Sequence, residues 1–209
     1  MIKTRLFYVP KVVDAFYPNW IWRFKNTGKV FITFDDGPHE CVTPWLLDFA
    51  EKEKIKLNFF WLGCNVKLNK VISKRVKDSD HFVGNHGFEH LNGRRLNKQA
   101  FLKNIKRAEE LTSKRFFRPP YGIIKSSIKS ELPKDMRIIM WSWLSYDWDA
   151  NVSDEKILRS IKRNISNGSI LVFHENDKTD GRIQRLFPRV IELLREKGFT
   201  FGLISEEFK

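Results

Sequence analysis

The chain has 209 residues, 42% hydrophobic and 30% charged, enough for one globular domain around a single core, which excludes a disordered chain or a miniprotein. Its 38 Lys and Arg against 25 Asp and Glu give a formal charge of +13. That balance suits anionic partners such as phosphates, acidic glycans, nucleic acid or an anionic membrane, and also a merely solvated basic surface, because the cations are spread along several segments. The two cysteines, Cys41 and Cys64, are too few for a disulfide framework and lack zinc-knuckle spacing, so both read as free thiols.

The longest apolar runs, such as Leu6 to Val9 and Ile170 to Phe173, are far too short to span a bilayer. The apolar stretch at the N-terminus stops at Pro10 with no small-residue cleavage site after it, so it does not read as a secretory signal and the cytoplasm is the default expectation. Residues 1–28 stand apart as an aromatic and basic segment. In it Val9, Val12, Val13, Phe16 and Trp20 fall at helical spacing, Pro10 suits a first turn and Tyr17-Pro18 is a break. The segment is expected to pack on the following domain, 29–209, or to lie on an anionic membrane surface, because Lys3, Arg5, Lys11, Arg23 and Lys25 flank Trp20 and Trp22.

From Lys29 onward short β-branched or aromatic runs alternate with helical periodicity. Seven strands are predicted: Val30 to Phe34, Leu57 to Leu62, Phe82 to Asn85, Arg115 to Arg118, Arg137 to Trp143, Ser169 to Phe173 and Phe199 to Leu203. Helices are predicted near Thr43 to Glu53, Val66 to Lys77, Asn97 to Leu111, Ile123 to Glu131, Ser153 to Ser166 and Arg182 to Glu196. Ser153 offers a capping hydroxyl, and Gly168 and Gly198 close two of the helices. Strict alternation implies an α/β fold of parallel strands joined by right-handed crossovers, either a (β/α) barrel or an open doubly wound sheet. No GxGxxG or P-loop follows the first strand, which ends in Phe34-Asp35-Asp36-Gly37-Pro38, so a nucleotide-binding reading loses its main support.

Polar residues cluster at the C-terminal ends of the predicted strands, where parallel βα folds carry their active sites. They are Asp35 and Asp36, His86 and His90, Arg118-Pro119-Pro120-Tyr121-Gly122, Asp147-Trp148, and His174. One such residue is more often structural; coincidence at successive strand ends is not. Adjacent carboxylates are costly without a cation, and His86-x-x-x-His90 presents two imidazoles at a spacing suited to one metal ion. One Asp and two His leave an open position at which water is acidified and a carbonyl polarised, which is hydrolytic chemistry. The other Asp is then free to act as base, and His174 to protonate a leaving group.

Thr33-Phe34-Asp35-Asp36-Gly37-Pro38, His86 to His90, Arg118 to Gly122, Asp147-Trp148 and Val172-Phe173-His174 resemble, in order, the five motifs of the polysaccharide deacetylases, the NodB-homology carbohydrate esterases of family 4. The resemblance runs from about Val30 to the C-terminus. It implies a distorted seven-stranded (β/α) barrel and metal-dependent removal of N- or O-acetyl groups from a glycan. It further implies Asp35 as general base, Asp36, His86 and His90 as ligands of one divalent ion (Zn²⁺, with Co²⁺, Ni²⁺ or Mn²⁺ as alternatives), Arg118 as the residue orienting the base, and Asp147 as the carboxylate behind the general acid His174. Tyr121, Trp148 and Val172 are the expected substrate-facing residues, with Trp148 lining the acetyl pocket.

Three positions differ from the family pattern. Gly87 replaces the usual Ser or Thr after the first metal histidine, removing a loop-stabilising hydrogen bond; Leu144 stands where an Asp is common; and Val172 stands where Leu is usual. The expected partner is an N-acetylated glycan or aminosugar, with oligomeric state left open. Two alternatives stand beside this reading: a deformylase or deacetylase of a lipid-linked aminosugar, which suits the basic charge and peripheral contact with an anionic membrane, and a catalytically inactive glycan-binding module. No nucleic-acid recognition motif accompanies the charge.

Overall fold

The computed structural model describes residues 5–25 and 27–208; of the cations flanking the N-terminal aromatics, Lys3 lies outside them. The strands are β1 (Trp20–Ile21), β2 (Lys29–Asp35), β3 (Asn58–Trp61), β4 (Phe82–Asn85), β5 (Phe116–Phe117), β6 (Arg137–Ile139), β7 (Trp143–Leu144), β8 (Ile170–His174) and β9 (Thr200–Phe201). The helices are α1 (Val13–Phe16), α2 (Val42–Glu53), α3 (Gly63–Leu68), α4 (Lys70–Lys77), α5 (Lys98–Glu109), α6 (Ser126–Lys129), α7 (Asp154–Asn164) and α8 (Arg182–Glu196). All strand pairs are parallel, in the order β1-β6-β5-β4-β3-β2-β8-β7, with β9 also pairing β2. This is a distorted (β/α) barrel.

Period-two alternation sorts β2 into two faces. Val30, Ile32 and Phe34 join the main core with Leu46, Trp143, Phe173 and Phe187, between sheet and helices. Phe31 joins a second cluster with Phe60, Phe82, Phe116, Ile139 and Ile170. Thr33 and Asp35 share the face of Phe31, and the strand therefore delivers Asp35 to the barrel interior at its C-terminal end.

The structure corrects the sequence expectation in four places. Among the described residues nine strands are present where seven were expected, one reason being that the run Arg137 to Trp143 breaks in two. Residues 137–139 pair with β5 and β1, Met140 N–H bonds to Ile21 O, and Ser142 N–H bonds to Ile170 O, so the backbone changes partner and resumes as β7 beside β8. The helix expected over Val66 to Lys77 is interrupted at Asn69 (φ −111°, ψ 54°), whose side-chain amide donates instead to Pro38 O and Asn65 O. The helix expected over Ile123 to Glu131 shrinks to α6, since Ile123 is extended after the Pro120–Gly122 turn. At the N-terminus only α1 is helical; Val9 N–H bonds to Ser142 O and Leu144 N–H to Phe7 O, because tertiary pairing along β7 outcompetes helical spacing. Both cysteines are free, and among the described residues no helix is long and apolar enough to cross a membrane.

Gly168, placed from sequence as a helix-ending glycine, also joins the N-terminal segment to β8: its carbonyl accepts a hydrogen bond from Phe24 N–H at 2.9 Å. Its φ is +78° and an added Cβ would overlap the Phe24 carbonyl oxygen, whereas Gly198 (φ +79°) faces open space. Gly168→Ala is therefore expected to destabilise by about 2–4 kcal/mol and Gly198→Ala by about 1 kcal/mol, a difference that denaturant unfolding of the two variants measures.

Candidate active site

Asp35, 3% exposed, ends β2 and meets Arg118, which follows β5 and is completely buried. The guanidinium donates from Nη1 to Asp35 Oδ1 (2.6 Å) and Thr33 Oγ1 (2.7 Å), from Nε to Ile139 O (3.1 Å) and from Nη2 to Met140 O (3.0 Å). The Phe60 ring covers it at 4.0 Å, in room that Gly84 leaves by lacking a Cβ. Arg118 is thus no surface charge, and Asp35 is held in one orientation by a group that stays cationic.

The next residue reverses direction. Asp36 has φ +79°, a conformation that aspartate tolerates better than most side chains. Asn176 Nδ2 donates to its Oδ2 at 2.9 Å. Its Oδ1 is buried with no hydrogen-bond partner, yet lies 3.7 Å from His86 Nε2 and 3.4 Å from His90 Nε2. His86 Nδ1 is 2.8 Å from Arg118 O and must donate to it, which leaves Nε2 as a lone-pair acceptor facing Asp36. Burial and the neighbouring His90 push the His86 pKa down to about 3, and burial also lowers His90. One atom from each of the three residues lies within 4.8 Å of the others. Three converging atoms of metal-ligating type, one an orphaned carboxylate oxygen, fit a divalent cation.

Two asparagines hold the loop at which Gly87 lacks the usual hydroxyl. Gly87 N–H donates to Asn85 Oδ1 at 2.6 Å, and Asn104 clamps Glu89 from both sides, accepting from its N–H and donating to its C=O, each at 2.9 Å. Gly87 has φ +89°, and its Cβ would meet Asn104 Nδ2 at 2.6 Å; the α5 side chain occupies the space that a larger residue would need.

His174 ends β8 opposite Asp35. Its Nδ1 is 2.8 Å from Asp147 Oδ1, its backbone N–H donates to Asp147 Oδ2 at 2.8 Å, and Ser145 Oγ donates to Asp147 Oδ1 at 2.8 Å. Burial alone would lower the imidazole pKa, but the Asp147 carboxylate outweighs it and holds the value at about 9. The Trp148 ring stands edge-on to His174 at 4.4 Å. Asp35, Asp36, His86, His90, Trp148 and His174 line one cleft of about 950 Å³, together with Tyr121, Trp141, Leu144 and Val172, while Arg118 and Asp147 stand buried behind it. Tyr121, 58% exposed, meets His90 edge-on at 4.4 Å.

The sequence reading missed the residues that hold this constellation in place. Glu175 is 1% exposed and accepts from Trp61 Nε1 at 2.6 Å and from Thr43 Oγ1. A Cβ at Gly37 would overlap its carboxyl group, so Gly37 makes room for a buried carboxyl that joins β3, α2 and the end of β8. Burial pushes the Glu175 pKa up to about 8, against the two hydrogen bonds that oppose it. Adjacency to His174 was the only available signal for Glu175; none marked Asn104 or Asn176.

Both groups with raised pKa values stabilise the fold most when protonated. For His174 this contribution is complete below its ordinary value of 6.5 and vanishes as pH rises through about 9; for Glu175 it is complete below 4.5 and vanishes through about 8. The melting temperature of metal-free protein should therefore fall as pH rises from about 6 to about 9. His174→Gln should flatten the alkaline end of that decline and Glu175→Gln the part nearer neutrality, as read from thermal scans across pH.

A family model described as polysaccharide deacetylase matches residues 24–135. A peptidoglycan-N-acetylglucosamine deacetylase of Bacillus cereus is 31% identical over 193 residues, covering 88% of this chain and 70% of the relative. A chitooligosaccharide deacetylase of Azorhizobium caulinodans is 29% identical, covering 84% of this chain and 92% of the relative. The crystal structure of a peptidoglycan N-acetylglucosamine deacetylase in complex with a naphthyl N-hydroxybenzamide matches with a TM-score of 0.82 at 28% identity, over 96% of this chain and 97% of that one. The match of fold, over nearly the whole length, and of sequence establishes that the chain belongs to the polysaccharide deacetylase family.

Proposed function

We propose that the protein is a metal-dependent hydrolase that removes N-acetyl groups from an aminosugar-containing glycan. The observation that carries this reading is the meeting, in one cleft, of an arginine-held carboxylate, a cluster of three side chains of metal-ligating type and a carboxylate-backed histidine whose pKa is raised to about 9. Asp36, His86 and His90 would hold the ion, zinc by the chemistry of the donor set. When bound, such an ion supplies Lewis acidity, which acidifies water and polarises a carbonyl oxygen.

The remaining steps belong to the chain's own side chains. Asp35, oriented by Arg118, accepts the proton of the attacking water. As the resemblance to the family implies, a backbone N–H near Tyr121 would stabilise the oxygen of the acetyl carbonyl as negative charge develops there. His174 is protonated at neutral pH, and Asp147 occupies its Nδ1, so Nε2 delivers the proton to the departing sugar amine. Trp148, Leu144 and Val172 exclude water around the acetyl methyl, and Tyr121 offers an apolar face to the sugar ring. An inactive glycan-binding module would have no need of a complete proton donor and acceptor pair across the same cleft.

Acetate release from N-acetylglucosamine oligomers and peptidoglycan fragments, with and without added zinc, tests this function; full activity after exhaustive chelation would refute metal dependence. Asp36→Asn is expected to weaken zinc binding in a titration, whereas Asp35→Asn should keep the ion and lower kcat by about 10²–10⁴. Equal loss of zinc affinity in both variants would overturn the division of roles. His174→Ala should lower kcat on an N-acetyl sugar by about 10²–10⁴ and affect an activated aryl ester much less, since an aryloxide leaves without a proton.

A further inference from the structure

The corner built by residues 9–22 presents apolar surface that the other described residues leave uncovered. Val13 and Trp20 pack inward against Trp22, Ile138 and Met140. The helix α1 accordingly turns Val12 and Phe16, one turn apart, towards solvent; they are 61% and 74% exposed, and neighbouring Tyr17 is 44% exposed. Tyr17 lies 4.8 Å from Trp20, which stacks on Trp22 at 6.1 Å. The indole N–H groups of Trp20 and Trp22 have no acceptor among the described residues. A four-residue helix gains nothing in water from carrying its largest apolar side chain outward.

The charge along residues 5–29 is almost all positive. Asp14 is the single acidic residue between Arg5 and Lys29, and Arg23 neutralises it at 3.1 Å. Lys11 and Lys25 are exposed and have no ion-pair partner among the described residues, and the Lys129 ammonium lies 5.9 Å from the Trp20 ring. A soluble polyanion would engage the lysines but has no use for Phe16. A second copy of the chain would bring another net charge of +13 against the first. Aromatic and aliphatic side chains ringed by lysines match the boundary between acyl chains and anionic headgroups.

We propose that this corner docks on an anionic lipid bilayer, with Val12, Phe16 and Tyr17 entering the headgroup boundary and Lys11, Lys25 and Lys129 held by lipid phosphates. Trp141 packs on the same aromatic cluster and also lines the cleft, so the docked surface backs onto a wall of the active site. The inference does not depend on the reaction assigned to that cleft.

Co-sedimentation of the full chain with vesicles tests it. Binding is expected to phosphatidylglycerol mixed with phosphatidylcholine, and to be about tenfold weaker with phosphatidylcholine alone or at high salt. The double variant Val12→Ser, Phe16→Ser should bind the anionic vesicles about tenfold less well with an unchanged circular dichroism spectrum and melting temperature; Phe16→Trp should bind at least as well as wild type. Three results would each overturn the proposal: no association of wild type with the anionic vesicles, equal binding of the apolar double variant, or a concentration-dependent dimer in light scattering that the double variant abolishes.

Discussion

The active end of the barrel is organised around the ion pair between Arg118 and Asp35. Burying a guanidinium and a carboxylate costs several kcal/mol of hydration for each ion, of order 3–5 kcal/mol if one partner is then removed. The pair persists because the guanidinium donates to Asp35, Thr33 and two main-chain carbonyls and lies under the Phe60 ring. Those acceptors come from β2 and from the β6 to β7 crossing, and the carbonyl of Arg118 itself orients His86. One residue therefore ties together the proposed base, a candidate metal ligand and the point at which a strand changes partner.

Two consecutive aspartates are given opposite surroundings by one backbone reversal. Asp35 ends an extended strand and meets a cation; Asp36, at φ +79°, meets Asn176 and two imidazoles. The fold must hold these three side chains together, and it does so with neutral donors: Asn176 on Asp36, Asn65 on the Asp36 carbonyl, Asn104 on the loop between the histidines. Glu175 fills the space beside Gly37 for the same purpose, so that packing rather than charge keeps the loop closed.

The net charge of +13 is not the charge of the cleft. Asp35, Asp36, Glu40 and Asp177 line the cleft, against Lys178 and His174, while Lys156, Arg159, Lys162 and Arg163 stand exposed along α7. Long-range attraction to an anionic polymer or surface consequently acts on the body of the protein, and the groups at the reacting bond are governed by local pairs that salt screens poorly.

The residues that gather at the candidate site were legible in the sequence because they fall directly after β-rich runs, and strand ends in a parallel α/β fold converge at one rim. Asp35, Asp36, His86, His90, Arg118, Asp147 and His174 needed only that rule and the motif order. The parallel strands and the long helices α2, α5, α7 and α8 were legible for a similar reason, since apolar periodicity and capping are local signals. Boundaries failed where a long-range partner decided the backbone: the break at Met140 to Ser142, the kink at Asn69 and the pairing of residues 7–9 with β7. The supporting residues were equally invisible, because Glu175, Asn104 and Asn176 acquire their roles from atoms distant in the chain. Sequence by itself determined which groups could carry hydrolytic chemistry and along which rim they would gather. Tertiary structure alone decided that the adjacent carboxylates of Asp35 and Asp36 would be divided between a guanidinium and a pair of imidazoles, because burial and hydrogen-bond geometry exist only once the barrel has closed.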